Sequence, residues 1–167
     1  MNTLIRNIKT EEIDFLNEML YEALFVPEGM APFPKSITRT PELAKYVEDW
    51  GRRGDIALVA ETGGRLTGCA WLRLFRKPLT GYGYVNDETP ELSMAVLPAF
   101  RNQGIGSKLL ERLIEKAGLY GYEAISLSVD KQNRAQNLYK RYGFRILKEE
   151  ATAFTMMKKL NSNDIYR

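Results

Sequence analysis

Apolar residues recur along this chain with a period near two in some segments and near 3.6 in others, and each change of period marks a new element. Residues 3–8 (TLIRNI) alternate as a short edge strand. Thr10 then reads as an N-cap with Glu11 and Glu12 in the first turn. Ile13, Leu16, Leu20 and Ala23 predict a helix running to Leu24, before Pro27. Residues 25–39 (FVPEGMAPFPKSITR) hold three prolines, which forbid a long regular helix, yet the segment is too apolar for an ordinary solvent loop. It either packs on the body or lines a pocket. Thr40-Pro41-Glu42 opens a second helix, with Leu43, Tyr46, Val47 and Trp50 on its apolar face and Gly51 at its end. Residues 55–62 and 66–75, joined by Gly63-Gly64, read as a β-hairpin.

The most strongly patterned stretch is 90–119. A strand ends at Met94-Ala95-Val96-Leu97-Pro98, a glycine-bearing turn follows, and Ile105, Leu109, Leu110, Leu113, Ile114 and Ala117 form a helical stripe opposite Glu111, Arg112, Glu115 and Lys116. Residues 124–129 (AISLSV) supply a second, parallel strand, so 91–129 is a βαβ unit with a right-handed crossover. Ala135, Leu138, Tyr139 and Tyr142 mark another helix closed by Gly143. Residues 144–148 and 153–158 read as two final strands, and the polar end 161–167 as a frayed tail.

Composition narrows the chemistry. A chain of 167 residues without linkers, repeats or a composition break reads as one domain, 1–167, with a core over about residues 3–160. The net charge of +3 is spread among acidic residues, which gives no footing for nucleic-acid binding. No apolar run reaches the roughly 18 residues of a membrane span, and the start lacks the apolar centre of a signal peptide, so the expected compartment is cytoplasmic. Histidine is absent and cysteine occurs once. That removes Ser-His-Asp and Cys-His catalysis and any usual zinc site, leaving carboxylates, tyrosines, lysines or water for acid–base work.

The turn Arg101-Asn102-Gln103-Gly104-Ile105-Gly106 leads into a helix whose first N–H groups have no intrahelical partner, a ready site for an anion such as a pyrophosphate. A dinucleotide fingerprint needs a glycine where Leu109 stands, and no GxxxxGK[ST] motif occurs. RxxGxG after a strand, followed about 30 residues later by Asn133-Arg134-Ala135 with Leu138-Tyr139 and Gly143-Phe144, resembles the GNAT superfamily of N-acetyltransferases. The resemblance implies an α/β (α+β) fold with a central mixed, twisted sheet of about six to seven strands, parallel strands splayed in the middle, and about four flanking helices.

What the resemblance implies for function is transfer of the acetyl group of acetyl-CoA, a co-substrate, to an amine acceptor without a covalent enzyme intermediate and without a metal. The acceptor is a small-molecule or protein amine, and the assembly a monomer or homodimer. The alternative of the same fold is a catalytically weak CoA-binding sensor. In the family pattern, backbone groups of Met94 and Val96 pair with the pantetheine arm, and N–H groups near Met94 and Ala95 polarise the carbonyl. N–H groups of Asn102, Gln103, Gly104, Ile105, Gly106 and Ser107 hold the pyrophosphate, with Arg101 lending charge. Asn133 contacts the CoA arm or caps its helix, and Tyr139 matches the tyrosine that protonates the departing thiolate. The base is Glu91 by position, although family bases align with Pro90 and Leu92 on either side of it; Asp87 and Glu88 stand nearby. These three carboxylates lean towards a cationic acceptor. Cys69 reads as a small buried hydrophobe, and the 25–39 segment as the part that selects the acceptor.

Overall fold

The structure, a computed structural model, describes residues 2–161; six residues of the tail expected to fray, 162–167, lie outside the described residues. Seven strands form one sheet, β1 (Thr3–Asn7), β2 (Ile56–Thr62), β3 (Arg65–Arg73), β4 (Glu91–Val96), β5 (Ala124–Asp130), β6 (Arg145–Glu149) and β7 (Ala153–Lys159). Their spatial order is β1-β2-β3-β4-β5-β7-β6, all neighbours antiparallel except β4 and β5. The four α-helices are α1 (Asp14–Glu22), α2 (Pro41–Ala44), α3 (Ile105–Tyr120) and α4 (Ala135–Arg141).

The sheet separates two apolar layers. Leu109, Leu110, Leu113 and Ala117 of α3 are fully buried against Ala60, Ala70, Leu72 and Ile125, and Tyr139 and Phe144 extend that layer. On the opposite face Leu16, Met19 and Leu20 of α1 pack with Tyr46, Val59, Cys69, Trp71 and Ala95. The stripes predicted for α1 and α3 are thus the buried ones, as a period of 3.6 requires.

Two helix boundaries differ from expectation. Thr10 is not the N-cap of α1: residues Thr10–Glu12 form a 3-10 turn, and the Glu12 carboxylate accepts the Lys9 N–H at 2.9 Å. The Glu12 and Ile13 N–H groups that a Thr10 cap would have taken bond instead to the Lys9 and Thr10 carbonyls. The second helix shrinks to Pro41–Ala44, with Tyr46 and Val47 buried in the turns that follow. Arg73 explains the early stop. Its guanidinium is 1% exposed, pairs with Asp55 at 2.7 Å, and donates to the carbonyls of Lys45 and Glu48, so those carbonyls bond to a buried charge instead of a further helical turn.

The sheet opens at its centre. β4 and β5 share a single pairing, Glu91 with Ser126, next to the Ser126 N–H bond to the Pro90 carbonyl at 3.0 Å. Beyond that point the strands part.

Candidate active site

A cavity of about 990 Å³ lies where β4 and β5 diverge, walled by α1 and the chain after it on one side and by the starts of α3 and α4 on the other. Backbone parity along β4 decides which groups face it. The Leu97 N–H bonds to the Thr67 carbonyl of the β3 side, so Ala95 and Ser93 direct their backbone groups to β3, while Met94 and Val96 direct theirs to the gap. Of the two N–H groups considered for the carbonyl, those of Met94 and Ala95, only that of Met94 faces the cavity. The Val96 carbonyl already accepts from Arg101 Nε at 2.9 Å, and Arg101 also pairs with Glu22 at 3.2 Å.

The turn before α3 leaves backbone donors open. Asn102 and Gly104 both adopt left-handed conformations, φ 62° and 81°, and Gly104 is the N-cap, with no side chain capping the helix. The first intrahelical bond on this turn is from Lys108 N–H to the Gly104 carbonyl, which leaves the N–H groups of Ile105, Gly106 and Ser107 open. Glycine at 104 answers a backbone demand, because a Cβ there would meet nothing within 4 Å. At Gly106 a Cβ would face Met94 and Leu138 at 3.7 Å, inside the cavity. Arg101, Asn102, Gly104, Ile105, Gly106 and Ser107 line the cavity, whereas the Gln103 side chain turns back to the Ala99 carbonyl.

From α4 and the turn before it come Tyr139 and Asn133. Asn133 Oδ1 accepts the Ala135 N–H at 2.9 Å and so shapes the helix start while lining the cavity. Tyr139 is 8% exposed, stands edge-on to Phe144 at 5.8 Å, and is pushed up to about 12 by burial, so its hydroxyl keeps its proton at any working pH.

Glu91 also lines the cavity, but it lies on the α1 side of the sheet, since Leu92 beside it belongs to the opposite layer. It is 3% exposed. Its Oε1 accepts from Tyr46 Oη at 2.8 Å and from the Gly83 N–H at 2.8 Å, while Oε2 has no protein partner. Desolvation raises its pKa from 4.5 to about 7, against the lowering effects of Tyr46 and Gly83. Ser126, its neighbour across the opening, also has an unpartnered buried oxygen.

The Gly81-Tyr82-Gly83-Tyr84 loop roofs this carboxylate. A Cβ on Gly81 would stand 1.9 Å from Glu91 Oε2, and one on Gly83 would stand 2.6 Å from the Leu127 backbone. Tyr46 Oη, besides donating to Glu91, accepts the Tyr82 N–H at 2.8 Å. Tyr46 itself is held from below, where Trp71 Nε1 donates to its carbonyl at 3.1 Å. The sequence pattern showed Tyr46 only as an apolar helix position. Asp87 is elsewhere: it accepts from Tyr84 Oη at 2.6 Å and from the Lys77 N–H, and with Glu88 it borders a separate depression beside Tyr120 and Tyr122. The hydrogen bond from Tyr84 is the largest influence holding its carboxyl below the usual range.

Comparison with known proteins identifies the class to which this geometry belongs. Residues 17–144 match the acetyltransferase (GNAT) family, and the chain belongs to that family. The mycothiol acetyltransferase of Pseudarthrobacter chlorophenolicus is 30% identical over 118 residues, 68% of this chain and 34% of that protein. The L-methionine sulfoximine/L-methionine sulfone acetyltransferase of Salmonella typhimurium is 36% identical over 90 residues, 53% of this chain and 50% of its own length. The chain thus spans about a third to a half of these two relatives. In fold it matches yncA of Salmonella typhimurium, solved with its cofactor acetyl-CoA, at TM-score 0.70 and 24% identity over 97% of this chain and 96% of that one. The PaiA N-acetyltransferase of Thermoplasma acidophilum, solved with coenzyme A, gives TM-score 0.69 at 20% identity, covering 95% of this chain and 99% of that chain. Among the described residues, no helix is long and apolar enough to cross a membrane.

Proposed function

We propose that the chain, acting as a single domain, transfers the acetyl group of acetyl-CoA to a primary amine by direct attack in a ternary complex. The observation that carries this reading is the convergence on one cavity of an uncapped helix N-terminus, a gap between parallel strands, a buried carboxylate with one unpartnered oxygen, and a buried tyrosine. The residues present fit acetyl-CoA. The open N–H groups of Ile105, Gly106 and Ser107 suit the pyrophosphate, and the gap-facing backbone of Met94 and Val96 suits the pantetheine amide groups. When bound, acetyl-CoA supplies an acetyl group activated as a thioester.

The amine nitrogen forms the amide bond as the carbon–sulfur bond breaks. Glu91 collects the proton that the nitrogen loses by way of water, since its Oε2 is closed off by Gly81. Tyr46 and the Gly83 N–H hold the other oxygen and so orient the carboxylate. Tyr139 gives its proton to the departing sulfur, yielding free CoA, and regains one from solvent. The Met94 N–H is placed to receive charge developing on the acetyl oxygen. Cys69 takes no part: it is fully buried and its thiol is pushed up by desolvation.

The test is calorimetric titration with acetyl-CoA of the parent and of a Gly104→Glu, Gly106→Glu double variant whose folding is checked by circular dichroism. Micromolar binding lost in the folded variant supports the reading, and thiol release with an amine then establishes turnover. Absence of binding to the folded parent overturns it, and binding without turnover of any amine leaves the sensor alternative.

A further inference from the structure

The half of the cavity on the α1 side defines what kind of amine fits, and this inference rests on the acetyl-transfer reading above. Its walls are Leu20, Leu24, Phe25, Val26, Phe33 and Leu43. Phe33 is 38% exposed and the stretch from Ala23 to Val26 is half-buried, so these side chains present apolar surface to the cavity in place of packing fully into the core. Two of the tyrosine hydroxyls there are engaged. Tyr21 Oη donates to the Phe33 carbonyl at 2.6 Å, which ties the loop to α1, and Tyr46 Oη is taken by Glu91 and Tyr82.

Charge is as informative. The carboxylates of this half are Glu22, paired with Arg101, and Glu91. Arg101 is engaged by Glu22 and by the Val96 carbonyl. Lys45 donates to the Thr80 carbonyl at 2.6 Å and lies 5.4 Å from the Tyr82 ring centre, while Arg141, which also lines the cavity, is on α4, whose Tyr139 packs in the layer opposite α1. An acceptor carboxylate seated against these apolar walls would therefore be desolvated with no uncommitted cation lining the α1 side to meet it, a cost that buried ions do not recover without a partner. A polyamine fares no better. Asp87 and Glu88, whose proximity in sequence suggested an acidic cluster, border a different depression, so a second ammonium group would find only Glu22, already paired with Arg101, among apolar walls.

We propose that the acceptor is a primary amine carrying a compact apolar or aromatic group and no carboxylate, with the group seated against Phe25, Phe33 and Leu43 and the nitrogen directed at Glu91. The ammonium form is attracted by the single buried carboxylate and sheds one proton to solvent before the nitrogen attacks, and the apolar group supplies selectivity through area removed from water. Apolar walls with no opposite charge to offer reject a charged substituent far more strongly than they distinguish one methylene from none.

The experiment compares 2-phenylethylamine and isoamylamine with phenylalanine, leucine, spermidine and an alanine-initiated hexapeptide in the thiol-release assay, using the full chain. Acetyl-CoA binding is measured in parallel. The expected result is kcat/KM for 2-phenylethylamine at least about a hundredfold above that for phenylalanine, with spermidine and the peptide near background. Phe33→Ala is expected to raise KM for 2-phenylethylamine by about tenfold while leaving isoamylamine less affected and the acetyl-CoA Kd unchanged. Lys45→Gln should leave the preference between phenylalanine and 2-phenylethylamine as it was. Preference for an amino acid, for spermidine or for the peptide, or acetyl-CoA binding with no turnover of either apolar amine, overturns the proposal while the CoA site stands. Failure to bind acetyl-CoA overturns both.

Discussion

Glu91→Gln should make the protein more stable above neutral pH and nearly inactive, and the pH dependence of the first effect can be worked from the structure. Glu91 is 3% exposed and its pKa rises from 4.5 in the open chain to about 7 in the fold. A raised folded pKa means that the folded state holds the proton more tightly. The fold is therefore not penalised below pH 4.5, and it loses stability as pH climbs through 7. Between pH 5 and pH 8 this loss amounts to about 2–3 kcal/mol at 1.4 kcal/mol per pH unit. Glutamine keeps the shape and an oxygen to accept from Tyr46 and Gly83, and its amide replaces an oxygen that has no protein partner. Whatever that amide costs is the same at both pH values, so the difference between variant and parent isolates the charge. Urea unfolding of both proteins at pH 5, 6, 7 and 8 should show the variant gaining on the parent by about 2–3 kcal/mol over that range. In parallel, kcat/KM should fall by about 10²–10⁴ with acetyl-CoA affinity unchanged. A stability difference that stays flat from pH 5 to 8 would refute the argument that this carboxylate is ionised at the expense of the fold.

Other substitutions probe the neighbouring parts. Gly81→Ala places a Cβ 1.9 Å from Glu91 Oε2 and 2.8 Å from Tyr46 Oη, so kcat should fall by about tenfold or more with the acetyl-CoA Kd unaltered by calorimetry. Tyr139→Phe should lower kcat by about 10–100-fold in the thiol-release assay and leave Tm within a few degrees, because the ring still packs on Phe144. Cys69 should resist a thiol reagent in the folded protein and react fully in denaturant, and Cys69→Ala should remain active, as direct transfer requires. Leu113→Ala, at a fully buried point of α3, should cost about 2–5 kcal/mol in urea unfolding.

The sheet and its two longer helices were legible because their burial follows a single period. Residues 105–117 repeat at 3.6 and are buried at those positions, and the Gly63-Gly64 turn, with φ of 58° and 79°, forces the hairpin on either side of it. The glycine turn before α3 was legible for the same local reason. What escaped depends on contacts between residues far apart in the chain. Tyr46 fits an apolar helix stripe, and nothing near it announces that its hydroxyl meets a carboxylate 45 residues away. The end of α2 is set by Arg73, a charged residue on a strand, and no helix signal at 44 records it. The alternation of β4 leaves open which layer Glu91 faces until the other strands are in place. Asp87, Glu88 and Glu91 looked like one acidic cluster because they are close in sequence, yet the sheet sends Glu91 inward and leaves the other two at the surface depression.

These long-range contacts form one chain of support. Asp55 fixes Arg73, and Arg73 with Trp71 fixes the backbone from Lys45 to Glu48. That backbone carries Tyr46, and Tyr46 with the Gly81–Tyr84 loop fixes Glu91. An ion pair as deeply buried as Arg73–Asp55 contributes little net stability against an apolar substitute, so its value lies in geometry. It holds a tyrosine hydroxyl within 2.8 Å of a carboxylate that the fold would rather keep neutral. The glycines at 81 and 83 serve the same end, since any side chain there would push the roof off the carboxylate or off β5. For the role proposed for Glu91, a base near neutrality needs both burial and a fixed position. Here burial comes from the loop and position from the far side of the sheet, so damage at Asp55 should reach the acetyl-transfer step through Tyr46 while leaving the turn before α3 as it is.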